Sequence, residues 1–201
     1  MTLIIGLTGS IGTGKSLISN QFRKLNIPVV DADLIAREVV EPGQKAYTKI
    51  VETFGEDILH DDDTLDRKAL GNIVFNDQEK RKKLNAIIHP AIRKEMLKQR
   101  DEYVQQGELC VVLDIPLLYE SGLTHYVDKV IVVFVEPEVQ VKRIISRDNS
   151  TEEEARSRIN SQIPVADKVN KADAVIDNNG SKEESYKQLE DILKQWGIIL
   201  S

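Results

Sequence analysis

The sequence predicts an α/β fold built on a five-stranded parallel sheet with helices on both faces. Three observations predict it. Five short apolar, β-branched runs recur along the chain, separated by stretches with helical spacing. The runs are apolar throughout instead of alternating with polar residues, as strands of a sheet covered on both faces are. Between the first strand and the first helix lies GLTGSIGTGKSLIS, residues 6–19, with four glycines in nine residues followed at once by Lys15 and Ser16.

The elements follow in order. TLIIGLT reads as a short buried strand ended by glycine. KSLISNQFRKL carries Leu17, Ile18, Phe22 and Leu25 at helical spacing. IPVVDAD is the second strand, with Pro28 near its first position, where a missing N–H is tolerated. LIAREVV continues as helix until Pro42-Gly43 breaks it. From about 44 to 106 the pattern is helical, through AYTKIVETFG, DRKALGNIVF and the charged stretch from Asp77 to Gln106, with no strand signal. That stretch is too long for a simple crossover and predicts an inserted lobe. LCVVLDIPLL and DKVIVVFVE are the third and fourth strands. PEVQVKRIISR is helical, with Pro137 in its first turn. TEEEARSRINSQI is helical too, and its Thr151 and Glu154 fit a capping box. DAVIDNNG is the fifth strand, and Ser181 caps a final helix to about Trp196. The expected organisation is one domain over residues 1–201. Its core covers about 1–35, 107–136 and 163–201, its helical lobe about 36–106 and its lid about 137–162.

Composition narrows the function classes. The chain has 201 residues and a single cysteine, Cys110, inside an apolar run. That excludes an internal disulfide framework and a cysteine metal cluster, and predicts a buried core thiol. The apolar start lacks a basic region and meets glycine at position 6, so it reads as a strand and not a signal peptide. No run approaches the ~20 apolar residues of a membrane span. A cytoplasmic protein without membrane contact is expected. The net charge of −6 argues against a general nucleic-acid binder. An anionic ligand must therefore be met by a local basic cluster. Oligomeric state is not legible.

Gly9, Gly14, Lys15 and Ser16 match G-x-x-x-x-G-K-[ST], in a strand–loop–helix frame. Glycines let successive N–H groups turn inward as an anion nest. The helix that follows adds positive charge at its N-terminus. Lys15 brings a full charge to the β- and γ-phosphates, and the Ser16 hydroxyl suits Mg²⁺. Residues Gly9, Ser10, Ile11, Gly12, Thr13, Gly14, Lys15, Ser16 and Leu17 are thus candidate nucleoside-triphosphate-binding residues of a P-loop NTPase, which the resemblance described below takes as ATP-binding. A dinucleotide fingerprint begun at Gly12 would need glycine at 17, which is Leu17.

A guanine-nucleotide switch would use N-K-x-D and D-x-x-G. NKAD stands at 170–173 and DNNG at 177–180, but in reversed order and in the wrong places relative to the strand. A motor ATPase would carry Asp-Glu at a strand end, and Asp114 has no adjacent glutamate. A small-molecule kinase remains. It must align an acceptor hydroxyl with the γ-phosphate and exclude water. Residues 44–106 suit the acceptor lobe and 137–162 a basic lid. Arg143 and Arg147 share one helix face there, followed by Arg156 and Arg158; nearby Asp148 and Glu152–Glu154 allow a plain solvated surface instead. Asp31 and Asp33 end the second strand. If the helix begins near 31, Asp31 is its N-cap and Asp33 is freer to act as base; otherwise both only cap.

On these residues the chain is similar to the dephospho-CoA kinases. The resemblance spans nearly its full length, through GLTGSIGTGKS, VVDADLIAREVV, LDRKALGNIVF, IIHPAIRKEM, LDIPLLYESGL, RIISRDNSTEEEARSRINSQ and ADAVIDNNG. The resemblance implies transfer of the ATP γ-phosphate to the ribose 3′-hydroxyl of dephospho-CoA, the last step of coenzyme A biosynthesis, with Mg²⁺. It implies five parallel strands, a helical CoA-binding lobe and a lid. It assigns Asp33 and Lys15 to catalysis, and Asp33, Arg67, His89 and Asp114 to the substrate side. Arg143 and Arg147 would lie near the nucleotide. Arg67 meets a substrate phosphate or pairs with Asp63 or Asp66. His89 belongs to the family's His-Pro pair, or shapes a junction between two helices with Pro90. Asp114 orders Mg²⁺ through water or holds the loop. One departure stands out: family members often have Asp-Gly before LDR, where this chain has Asp63-Thr64, so the turn lacks the residue that takes positive φ cheaply. The run Asp61–Asp63 reads as a solvated turn and not a calcium loop.

Overall fold

In the computed structural model, which describes residues 2–75 and 77–200, five strands form one parallel sheet. They are β1 (Leu3–Gly9), β2 (Val29–Asp31), β3 (Cys110–Asp114), β4 (Lys129–Phe134) and β5 (Ala174–Asp177), in the order β2-β3-β1-β4-β5. β1 is therefore central. It pairs with β3 in the register Leu3↔Cys110 to Leu7↔Asp114, and with β4 from Ile5↔Lys129 to Gly9↔Val133. Because the strands run parallel, the glycine loop leaving β1 and Asp114 at the end of β3 share the carboxyl edge of the sheet, where open α/β folds bind ligands.

Both faces of the central strands are covered, which is why their sequences are apolar throughout. On one face Ile5, Leu7, Val112, Ile131 and Val133 pack against Ile18 and Phe22 of α1 (Lys15–Lys24) and Leu189 and Leu193 of α9 (Lys182–Gln195). Cys110 lies in this layer, as its apolar setting predicts. On the opposite face Val130 and Val132 are buried, and α8 (Val165–Val169) packs on β4. α6 (Pro137–Asp148) and α7 (Glu152–Asn160) pack on each other through Val141, Ile144 and Ala155, joined by Ile11 of the glycine loop. The predicted caps form. Thr151 and Glu154 close a capping box on α7, Ser181 and Glu184 close one on α9, and Pro137 opens α6.

The chain divides into two compact units. One comprises the residues up to Val30 together with Glu102 onward; the other is Asp31–Asp101. Residues 137–162 lie within the first. The second contains α2 (Ala32–Glu38), α3 (Lys45–Phe54), α4 (Arg67–Phe75) and most of α5 (Gln78–Gln105).

Two expectations for the second unit are corrected, and the shape of one turn is settled. It is not wholly helical: an antiparallel bridge joins Leu59 and Leu65 around a tight turn. That turn does adopt positive φ, at Asp63 (φ 63°) and without glycine. Aspartate tolerates this conformation better than most residues. The turn is tied by His60 N–H to the Thr64 carbonyl (2.8 Å), by Thr64 N–H and O–H to Asp62 (3.1 and 2.6 Å), and by Tyr47 O–H to the Asp63 carbonyl (2.6 Å). Finally, His89-Pro90 is no junction between helices, because α5 runs unbroken for 28 residues with Pro90 inside it. Proline removes the N–H that the Ala86 carbonyl would accept. Ala86, His89 and Pro90 are all exposed, so water can satisfy that carbonyl.

Candidate active site

The glycine loop is shaped by donors that grip its carbonyls from outside. Gln140 Nε2 of α6 donates to the Ile11 carbonyl (2.5 Å). Asn178 Nδ2, just past β5, donates to the Thr13 carbonyl (2.8 Å), and Arg143 Nη1 reaches the same oxygen at 3.4 Å. The Ser10 carbonyl accepts from Thr13 Oγ1 (2.8 Å) and Thr13 N–H (3.2 Å). A planar trans peptide sends its N–H opposite to its C=O. Pinning Ile11 and Thr13 therefore turns the N–H groups of Gly12 and Gly14 the other way. With the N–H groups of Lys15 and Ser16 at the start of α1, these four amides have no intramolecular acceptor among the described residues. Such an array, on a helix end with no acidic residue in its first turn, is an anion-binding nest.

Glycine is required at two of these positions. Gly14 has φ 87°, and a Cβ there would fall 2.2 Å from Asn178 Nδ2. A Cβ on Gly9 would fall 2.5 Å from Thr13 Oγ1.

Lys15 points its ammonium at the carboxylate of Asp114, which is 3% exposed and ion-paired to it. A carboxylate this buried needs a partner, and the loop lysine supplies it. The Ser16 hydroxyl is exposed at the same turn.

The arginines separate. Arg143 Nη2 donates to the Asn178 carbonyl (2.8 Å), so this guanidinium sits at the glycine loop. Arg147 lies instead on Asp148 (2.7 and 2.9 Å), which Arg158 also contacts (2.5 Å). The hydrogen bond from Arg147, aided by Arg158, holds the Asp148 carboxyl far below the usual carboxylate range. Arg156 pairs with Glu152 and Glu138 (2.8 and 3.1 Å). All four pairs are solvent-accessible, and surface ion pairs contribute little.

The other candidates lie in the second unit. Asp31 accepts from Asp33 N–H (3.0 Å) and Leu34 N–H (3.1 Å), making it the N-cap of α2. Asp33 is exposed in the first turn, and its carboxylate takes no part in the cap. Arg67 opens α4, exposed, and pairs with neither Asp63 nor Asp66; its Nη2 reaches only the Arg37 carbonyl, at 3.5 Å. Asp66 instead accepts from the amides of Lys68 and Ala69 (2.9 Å each). His89 is exposed midway along α5.

Five residues at the loop escaped the sequence reading: Glu120, Gln140, Gln162, Lys168 and Asn178. Gln162 Oε1 accepts from Ile11 N–H (2.9 Å), and Lys168 Nζ donates to the Gly9 carbonyl (2.8 Å). Asn178 lies in the DNNG run, and Glu120 and Gln162 lie in runs that carry the family resemblance, but no spacing ties any of them to the loop. All lie far from the loop in sequence, Gln140 and Lys168 on helices, Glu120 in the turn after β3 and Gln162 just past α7.

Comparison with known proteins shows the family. A family model described as dephospho-CoA kinase matches residues 3–184. A dephospho-CoA kinase of Geobacillus kaustophilus is 56% identical over 199 residues, 99% of either chain. One of Bacillus cereus is 55% identical over 199 residues, 99% of this chain and 100% of the relative. The solved structure of dephospho-CoA kinase from Campylobacter jejuni superposes with a TM-score of 0.75 at 32% identity, covering 98% of each chain.

Proposed function

The chain belongs to the dephospho-CoA kinase family, and from that premise we infer that it transfers the γ-phosphate of ATP to the ribose 3′-hydroxyl of dephospho-CoA, giving coenzyme A and ADP. The observation that carries this reading is the nest at residues 9–17, built for a polyphosphate in a chain that matches the family from end to end. The Gly12, Gly14, Lys15 and Ser16 amides bind phosphate oxygens. Lys15 exchanges its Asp114 contact for the β- and γ-phosphates, where its charge offsets the negative charge of the transferring group. Arg143 borders the nucleotide from α6, and Arg147 joins it only by leaving Asp148.

Asp33 accepts the proton of the attacking hydroxyl. Its carboxylate is exposed and not committed to the helix cap, which supports that role over Asp31. Arg67 and His89 contribute to acceptor binding, Arg67 as a guanidinium that no carboxylate neutralises among the described residues. Residues of about 36–106 hold the acceptor, and 137–162 serve as the lid that excludes water.

Kinases of this kind use ATP with a divalent cation, and the residues present fit Mg²⁺. The Ser16 hydroxyl and the Asp114 carboxylate are hard oxygen donors at the loop, and no cluster of three or more His, Cys, Asp or Glu competes among the described residues. A cation with few protein ligands, held mainly by phosphate oxygens, matches the habits of Mg²⁺. When bound, it would neutralise phosphate charge and orient the triphosphate; Ser16 and Asp114, directly or through water, would hold it.

Burial pushes the Cys110 thiol up to about 12, so it is inert as a nucleophile. No helix among the described residues is long and apolar enough to cross a membrane. A cytoplasmic enzyme acting on small molecules is part of this proposal.

The test is an incubation with ATP, Mg²⁺ and dephospho-CoA, read by mass and by phosphorus NMR. Coenzyme A phosphorylated at the 3′ position is expected, with adenosine and nucleoside monophosphates left unchanged. No mass gain on dephospho-CoA would overturn the assignment.

A further inference from the structure

Lys168 is fully buried, at 0% exposure. Its Nζ donates to the Gly9 carbonyl at 2.8 Å and pairs with Glu120 Oε1 at 2.7 Å. The same oxygen accepts the Ile163 N–H at 3.1 Å. Burying an ammonium and a carboxylate is costly, and an apolar pair of similar volume is often equally or more stabilising. Here the arrangement is not optimised for stability, since Glu120 Oε2 is buried with no hydrogen-bond partner among the described residues. Stability alone therefore gives little reason for this pair, whereas its contacts give a specific one.

Lys168 holds the carbonyl of the last residue of β1, which sets the plane of the peptide leading into the glycine loop. Glu120 holds the amide of Ile163, in the segment that leaves α7. The same segment grips the loop: Gln162 Oε1 accepts from Ile11 N–H at 2.9 Å, and Ser10 Oγ reaches the Ile163 carbonyl at 3.4 Å. The contacts close a circuit from Gly9 through Lys168, Glu120 and Ile163 back to Ser10 and Ile11. The second half of the loop has separate anchors, Asn178 and Arg143 on Thr13.

We propose that Lys168 and Glu120 are positioning residues for phosphoryl transfer, a buried pair that locks the first turn of the glycine loop to the segment leaving the α6–α7 helix pair. This rests on the reading that the loop carries the reacting triphosphate. Lys168 touches no reacting atom; it acts through the Gly9 peptide. Loss of the lock leaves the loop able to form but badly aimed, and misplacement by about an ångström costs on the order of 10² in rate.

The test uses the full chain with Lys168→Met, Glu120→Gln and the double substitution. Melting temperature, kcat, the KM for each substrate and affinity for a non-hydrolysable ATP analogue are measured. Lys168→Met strands Glu120 as an unpaired buried charge, so its melting temperature falls. Adding Glu120→Gln removes that charge and restores most of the melting temperature. In both variants kcat stays down by on the order of 10² and analogue binding weakens several-fold, while the KM for dephospho-CoA does not change. Recovery of kcat together with melting temperature in the double variant would reduce the pair to a structural role and overturn the proposal. So would a wild-type kcat in Lys168→Met. If Lys168→Met does not fold, the double variant, which carries no unpaired charge, decides the question. If the wild-type chain fails to phosphorylate dephospho-CoA, the assigned reaction falls, yet analogue binding still tests the pair: unchanged affinity in the double variant would then overturn it.

Discussion

Two aspartates of one tripeptide divide their labour. Asp31 spends its carboxylate on the first amides of α2, and Asp33 keeps its own exposed. If Asp33 is the base, Asp33→Asn will lower kcat by about 10² or more and leave affinity for an ATP analogue near wild type, as steady-state kinetics and calorimetry would measure. Wild-type turnover would make it an ordinary surface carboxylate. At Gly14 the constraint is steric. Gly14→Ala places a methyl on the Asn178 amide in a backbone region with φ 87°, and the loop must shift to relieve it. Titration calorimetry should show loss of triphosphate binding; undiminished affinity would mean that the nest is not the site. The motif G-x-x-x-x-G-K-S made these residues legible because each acts through local backbone geometry. Arg147 shows the limit. Its spacing from Arg143 puts both on α6, but only the fold decides that one guanidinium meets the loop and the other meets Asp148.

At the scale of elements, helix ends were the most legible feature, since a cap is made by residues three apart. The box on α9 gives a direct test. Ser181→Ala removes the acceptor for the Glu184 amide and should cost about 1 kcal/mol, a fall of roughly 2–4 °C in melting temperature at this chain length. The Ser181 N–H and then its hydroxyl hold the Glu184 carboxyl below its ordinary value. A lowered pKa in the folded state gives stability that is present above the unfolded value and lost as pH falls through the folded one. The melting-temperature gap between wild type and Glu184→Gln should therefore be widest near neutrality and close on acidification. A gap that is constant with pH would refute the charge contribution. Less legible were the bridge between Leu59 and Leu65 and the passage of α5 through Pro90. A single bridge has too few residues for a periodic signal. Proline's usual breaking effect is overridden where exposed backbone can turn to water.

For the molecule as a whole, the proposed triphosphate site of loop amides and Lys15 exists in the folded state and not in the unfolded chain. ATP with Mg²⁺ should therefore raise the melting temperature with the logarithm of its concentration above Kd. At a hundredfold excess over Kd the gain is about 2.7 kcal/mol, or several degrees for a chain of this size. Scanning calorimetry with and without ATP checks this. The shift should be largely absent in Lys15→Ala, and an equal shift in that variant would place the nucleotide elsewhere.

The sequence by itself determined the sheet, the loop, the caps and the family, because each is written in residues close together in the chain: apolar runs, a glycine spacing, a serine three before a glutamate. Only the tertiary structure decided what holds the loop open. Gly9, Ile11 and Thr13 are gripped by Lys168, Gln140 and Asn178, which lie 159, 129 and 165 residues away. A hydrogen bond between such partners leaves no local pattern. It exists only once packing has brought an ammonium or amide, distant in the chain, against a carbonyl of the loop.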